Sequence, residues 1–202
     1  MINMIIGLTG PTGSGKSTVA QILKEMNFVI IDYDKISRDI SKKGSPCVLE
    51  LRREFGEEIL GSDGNLQRKV LGKIVFSDAE KLETLNTITH KYILKESDNL
   101  ISENSGKNIV LDAPLLFEAE LDKKCDFVIG VVAPKDVRIE RIMKRDSIDK
   151  AVANARVSSQ KSEEFFRQNC DFIIENTKDK EYVMTQIKEI FNAEVFKQKS
   201  DY

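Results

Sequence analysis

Gly10-Pro11-Thr12-Gly13-Ser14-Gly15-Lys16-Ser17 follows an apolar run, Met4-Ile5-Ile6-Gly7-Leu8, and precedes a helical pattern at Val19, Ala20, Ile22 and Leu23. The spacing G-x-x-x-x-G-K-[ST] between a strand and a helix is that of a phosphate-binding loop. Glycine at 10, 13 and 15 lets the backbone curl until several N–H groups point at one anion, and a helix starting near Lys16 adds its positive end. Lys16 supplies a mobile charge for β- and γ-phosphates, and the Ser17 hydroxyl is placed to ligate Mg²⁺. A glycine-rich turn that binds nothing is the competing explanation; all four fixed positions in the right context weigh against it.

Four further short apolar runs, Phe28–Ile31, Asn108–Leu111, Phe127–Val132 and Phe172–Ile174, have the continuous hydrophobicity of strands covered on both faces. Helical patterns separate them, which predicts a parallel sheet in a layered α/β/α fold. The interval from Lys35 to Lys107 is too long for one crossover. It holds helical stretches at Pro46–Phe55, Arg68–Phe76 and Ala79–Ser102, and predicts an inserted helical lobe over the C-terminal edge of the sheet, where ligands bind in this architecture. Lys135–Phe166 is helical and rich in arginine and lysine. A last helix covers about Lys180–Phe191, and the tail from Lys197 to Tyr202 has a frayed composition.

At 202 residues the chain can bury one substantial core. Its 31 basic residues nearly balance 33 acidic ones, so no global basic field for nucleic acid exists. No apolar run approaches a membrane span, and the short run at residues 1–8 leads straight into the phosphate loop, as a first strand would and a signal peptide would not. Cys47, Cys125 and Cys170 are scattered and His90 is the sole histidine. That pattern argues against zinc and against a disulfide framework, and fits reduced cysteines in a cytoplasmic protein.

Four more groups carry chemistry. Asp32-Tyr33-Asp34 follows the second strand; if the chain stays extended, alternation puts both carboxylates on one side. One could then accept a proton from a hydroxyl while the other helps hold Mg²⁺ or orients the site, although an Asp cap before a helix at Ile36–Ile40 explains the same residues. Asn108-Ile-Val-Leu-Asp112 is an apolar strand ending in Asp, a pattern that commonly holds Mg²⁺ through water. Arg138, Arg141 and Arg145 share a helix face and could close over phosphates, with Arg156 joining them; a solvated face paired to Glu140 and Asp146 is the alternative. His90, in the inserted lobe, is as well placed for a substrate contact as for a structural hydrogen bond.

Taken in order, these residues resemble the dephospho-CoA kinase family over nearly the whole chain. The resemblance runs through Gly7-Leu-Thr-Gly10 and Gly13-Ser-Gly-Lys-Ser-Thr18, Ile31-Asp-Tyr-Asp34, Phe55-Gly56, Asp63-Gly64 with Arg68 and Leu71, Val75-Phe76, and Leu85-Asn86 with His90. Pro114-Leu-Leu-Phe-Glu118, Arg141, Arg145-Asp146, Arg156, Ser159-Gln160 and Asp171-Phe-Ile-Ile-Glu-Asn176 complete it. The aspartate pair, Pro-Leu-Leu-Phe-Glu and Arg-x-x-x-Gln are its more specific parts. Tyr33 stands where the family has alanine, Lys91 where it commonly has proline, Lys178 where a glycine often follows, and Pro11-Thr12 in place of Gly-Ile.

The resemblance implies ATP- and Mg²⁺-dependent phosphorylation of the ribose 3′-hydroxyl of dephospho-coenzyme A, the last step of coenzyme A synthesis, with no nucleic acid or membrane as partner. It implies one kinase domain in three parts: a nucleotide core (1–36, 107–134 and 167–202), an acceptor lobe (37–106) and a lid (135–166). Asp34 becomes the base, or the group that orients the hydroxyl, with Asp32 beside it; Lys16, Arg141 and Arg145 assist transfer. Gly13, Ser14, Gly15, Lys16, Ser17 and Thr18 bind ATP, with Asn176 near its adenine. Arg68 and His90 join the two aspartates in holding the acceptor, and Ser17 and Asp112 hold the metal. A kinase for a nucleoside monophosphate or sugar acid is the nearest alternative. A guanine-nucleotide switch would want Asn-Lys-x-Asp, and Asn176-Thr-Lys-Asp179 has the wrong order.

Overall fold

The computed structural model describes residues 4–192 and places five strands in one sheet. They are β1 (Ile5–Thr9), β2 (Val29–Asp32), β3 (Ile109–Asp112), β4 (Phe127–Val132) and β5 (Phe172–Glu175), in the spatial order β2-β3-β1-β4-β5. β1 runs parallel to both neighbours, with Gly7 opposite Leu111 on one side and Val128 on the other, and β5 runs parallel to β4. The chain leaves β1 toward the β2 edge and later crosses to β4 on the far side. β1 is therefore where strand order reverses, and the C-terminal ends there form the crevice this topology uses for ligands.

Nine α-helices lie among the described residues: α1 (Lys16–Glu25), α2 (Tyr33–Ile40), α3 (Pro46–Phe55), α4 (Arg68–Val75), α5 (Ala79–Glu103), α6 (Lys135–Asp146), α7 (Lys150–Ser158), α8 (Glu163–Asn169) and α9 (Lys180–Asn192). None is long and apolar enough to cross a membrane. Residues 197–202, whose composition reads as frayed, lie outside the described residues.

Strand alternation builds the core. Ile6 and Leu8 of β1, Val110 of β3, Ile129 and Val131 of β4 and Ile174 of β5 pack with Val19, Ile22 and Leu23 of α1 and Val183 and Ile187 of α9. On the other face Gly7 and Gly130 leave room for neighbours. A Cβ at Gly7 would lie 2.9 Å from Leu116 Cδ2, and one at Gly130 would lie 2.8 Å from Cys170 Sγ.

The chain divides into two compact units, one made of residues up to Ile31 and from Asn104 onward, the other Asp32–Glu103. The second has its own core of Cys47, Leu51, Phe55, Ile59, Leu71, Val75 and Ile88. Two of its helices, α3 and α5, start on side-chain caps: Ser45 Oγ accepts from the Val48 N–H with Pro46 in the first turn, and Asp78 accepts from the Glu80 and Lys81 N–H groups.

Two boundaries differ from the sequence-based expectation. The helical stretch 135–166 is three helices. Ser147 ends α6 in the left-handed region at φ 52°, Asp149 caps α7 and Ser162 caps α8. Further upstream, α2 begins at Tyr33 rather than Ile36, because the Asp32 carboxylate accepts from the Lys35 N–H at 2.9 Å and sets the first turn there.

Candidate active site

The loop between β1 and α1 uses backbone that glycine adopts at little cost. Gly15, the residue before α1, has φ 91°, and a Cβ on it would sit 1.8 Å from Asn176 Nδ2; Gly13 has φ 79°, and a Cβ there would sit 2.7 Å from the Arg138 carbonyl oxygen. The loop is thus pressed against the residue after β5 and against α6.

Side chains hold its carbonyls. Arg138, 5% exposed, donates from Nε to Thr12 O at 2.9 Å and from Nη2 to Gln160 Oε1 at 3.1 Å. The same Gln160 oxygen accepts from the Thr12 N–H at 2.9 Å. Arg141 donates from Nη1 to the carbonyls of Gly13 and Ser14 at 3.2 Å each, and from Nη2 to Asn176 O at 3.0 Å. Buried Asn176 donates from Nδ2 to Ser14 O at 2.9 Å. A planar trans peptide points its N–H opposite to its C=O. Pulling the Thr12 and Ser14 carbonyls outward therefore turns the Gly13 and Gly15 N–H groups inward, as an anion requires.

Lys16 opens α1, and its ammonium pairs with the Asp112 carboxylate at the end of β3. Both side chains are largely buried, whereas Ser17 and Thr18 are exposed on the first turn. Buried Ser14 Oγ finds no hydrogen-bond partner among the described residues.

The three arginines predicted to share a face divide their work. Arg138 and Arg141 turn into the loop. Arg145 bonds the neighbouring Asp146 at 2.7 and 3.0 Å and reaches Thr12 Oγ1 of the loop at 3.5 Å, and Arg156 of α7 pairs with the same carboxylate. Those bonds, Arg145's first, hold the Asp146 carboxyl down at about 2.

In the second unit, Asp32 caps α2 and lies 3.8 Å from Arg38, while Asp34 is exposed in the helix's first turn. The extended geometry that would put both carboxylates on one side does not occur, because Asp34 already has helical backbone. Tyr33 is buried, with its hydroxyl bonded to Ser97 of α5. Arg68 is the exposed first residue of α4, and His90 is exposed on α5. Beside His90, Lys91 bonds both Glu50 oxygens, at 2.6 and 2.8 Å, and Tyr92 donates to the same carboxylate at 2.6 Å. Lys178, in the loop after Asn176, lies 4.5 Å above the Tyr182 ring.

Arg138 and Gln160 are the residues whose part in the loop the sequence did not disclose. Arg138 is one of three equivalently spaced arginines, and Gln160 stands out only within the Arg-x-x-x-Gln pattern.

A family model for dephospho-CoA kinase matches residues 4–182. The dephospho-CoA kinase of Fusobacterium nucleatum is 41% identical over 185 residues, covering 92% of this chain and 95% of its own. Among solved structures, a Thermus thermophilus protein superposes with TM-score 0.81 at 31% identity, covering 95% of this chain and 97% of that one. A Campylobacter jejuni dephospho-CoA kinase superposes with TM-score 0.66 at 28% identity, covering 94% and 98%. With the family model spanning both the phosphate loop and the Asn176 segment that braces it, the chain belongs to the dephospho-CoA kinase family.

Proposed function

We infer that this protein transfers the γ-phosphoryl group of ATP to the ribose 3′-hydroxyl of dephospho-coenzyme A, releasing ADP and coenzyme A. The observation that carries this is the phosphate loop braced on Arg138, Arg141, Asn176 and Gln160, in a chain of this family. The inward Gly13 and Gly15 amides cradle the phosphates. Lys16 exchanges its contact with Asp112 for the β- and γ-phosphates and follows charge as the bond to ADP breaks. The unpartnered Ser14 hydroxyl fits a loop that closes on an anion.

Mg²⁺ suits the donor set at this loop. The Ser17 hydroxyl and the Asp112 carboxylate are hard oxygen donors, and Mg²⁺ is commonly held by one or two such groups together with substrate phosphates. When bound it neutralises phosphate charge.

Asp34 is the group we assign to the acceptor. Its carboxylate takes a hydrogen bond from the 3′-hydroxyl, aims the oxygen at the γ-phosphorus and receives the proton as the new P–O bond forms. Because the transition state is loose, aim counts for more than early proton removal. Arg68 and His90 are assigned to the acceptor as well, and Asp32 to support. Arg145 and Arg156, held by Asp146, belong to the lid.

The test is ADP release with dephospho-coenzyme A against a panel of nucleosides and sugar acids. Turnover should require dephospho-coenzyme A, and Lys16→Ala should lower it by roughly two to four orders of magnitude with the fold retained. Preference for a sugar acid or a nucleoside would overturn the acceptor, and wild-type turnover in Lys16→Ala would overturn the role of Lys16.

A further inference from the structure

The phosphate loop has two flanks. At its end Gly15 packs on Asn176, beyond β5. At its start Gly10 and Pro11 border a cavity of about 400 Å³, closed by Pro114 and Leu115 after β3 and by Gln160, Lys161 and Phe165. All of these belong to the unit that carries the loop. Leu115 is 64% exposed at the border of this cavity. Phe165 is set edge-on against Phe117, ring centres 5.4 Å apart, and against Phe166 at 5.5 Å, so its ring has a fixed orientation. The Lys161 ammonium lies 4.8 Å from the Phe165 ring centre. Glu118 and Ser159 also line the cavity, so apolar and polar groups share the walls, and a concave site of this volume suits a small molecule.

We propose that this cavity receives the adenine ring of the acceptor. The proposal rests on the kinase reading above and deepens it. In-line transfer puts the attacking and leaving oxygens on opposite sides of the γ-phosphorus. With the base of ATP on the Asn176 flank, the acceptor approaches over Gly10 and Pro11. The reacting 3′-hydroxyl and the acceptor's adenine sit on the same ribose, so that base must lie within one sugar ring of the loop. The phosphopantetheine arm, attached through the 5′ position, is free to run elsewhere. A flat heteroaromatic ring would lie against Leu115 and Phe165, which both line the cavity, with the Gln160 amide in the same lining for its polar edge.

Gln160 gives the cavity a second consequence. Its Oε1 already holds the Thr12 N–H and the Arg138 guanidinium. A base seated against Gln160 therefore bears on a side chain that fixes the phosphate loop, which ties acceptor occupancy to loop geometry.

The experiment is calorimetric binding of dephospho-coenzyme A, of 4′-phosphopantetheine and of ATP to the wild-type protein and to Leu115→Ser and Phe165→Ala. Leu115 is exposed, so its variant keeps the test open if Phe165→Ala misfolds; circular dichroism checks both. Dephospho-coenzyme A should bind roughly tenfold or more weakly to the variants, the scale of one lost base–aromatic contact, with ATP affinity nearly unchanged. Phosphopantetheine, which lacks the base, should bind all three proteins alike. Unchanged affinity for dephospho-coenzyme A in both variants would overturn the proposal, as would parallel losses for ATP or for phosphopantetheine. Wild-type turnover is measured separately. Its absence would count against the kinase reading, while the binding comparison decides the cavity by itself.

Discussion

Arg138 carries a guanidinium into a place where charge is costly. Burial lowers its pKa, with Glu163 acting in the opposite direction. What offsets the burial is geometry: one planar fork reaches the Thr12 carbonyl and the Gln160 amide oxygen together. Lysine, with its charge at one point, cannot span both. Arg138→Leu should cost about 1.5–3 kcal/mol in denaturant unfolding, the scale of charge-assisted hydrogen bonds, and Arg138→Lys should recover little of it. ATP affinity should fall in both, because the loop loses the contact that turns its Gly13 amide inward. Unaltered ATP binding would mean that Arg141 and Asn176 hold the loop unaided. The family departures are also intelligible at this scale: Tyr33 closes a buried hydroxyl pair with Ser97, and Lys91 fastens α5 to Glu50 of α3.

The start of α2 decides what the two aspartates do. Asp32 is the cap, and Asp34 is the exposed carboxylate of the first turn. These roles separate by substitution. Asparagine caps about as well as aspartate, so Asp32→Asn should leave stability nearly unchanged, whereas Asp32→Ala should cost about 1 kcal/mol. Asp34→Asn keeps the helix but removes the charge, and should cut kcat sharply with ATP Kd unaltered. Unfolding curves and steady-state kinetics on the three variants are the measurements. Near-normal turnover in Asp34→Asn with an inactive Asp32→Asn would reverse the assignment. The basic stretch 135–166 follows the same logic of caps. Ser147, Asp149 and Ser162 break one basic stretch into three helices, and Asp146 ties Arg145 of α6 to Arg156 of α7.

The two compact units divide the cysteines, Cys47 buried in the smaller and Cys125 and Cys170 half-buried in the larger. Burial pushes Cys47 up to about 11 and both Cys125 and Cys170 up to about 12. At pH 8 the thiolate of a group at about 11 is only about one part in a thousand, and the thiolate is what reacts. All three should resist thiol labelling in the native protein. The smaller unit, holding Cys47, has the smaller core, so added urea should expose Cys47 at lower concentration than Cys125 and Cys170. Mass spectrometry of labelled peptides reads each site. Simultaneous labelling of all three would show one cooperative unit.

The phosphate loop, the five strands and the long helical interval between the second and third were legible in the sequence, because each follows from local chemistry. Glycine at 13 and 15 is demanded by positive φ, and unbroken apolar runs by burial on two faces. What local chemistry left open, packing decided. Asp32-Tyr33-Asp34 fits an extended strand end as well as a capped helix, and only the hydrogen bond to the Lys35 amide settles it. Arg138, Arg141 and Arg145 are equivalent on a helical wheel. They part company because α6 lays its first two arginines on the loop carbonyls, while the third bonds Asp146 and meets the loop only at Thr12 Oγ1, 3.5 Å away. Leu115 and Phe165 are fifty residues apart, and no pattern of spacing brings them to the rim of one cavity; that convergence exists only once β3 and α8 are packed into the same unit.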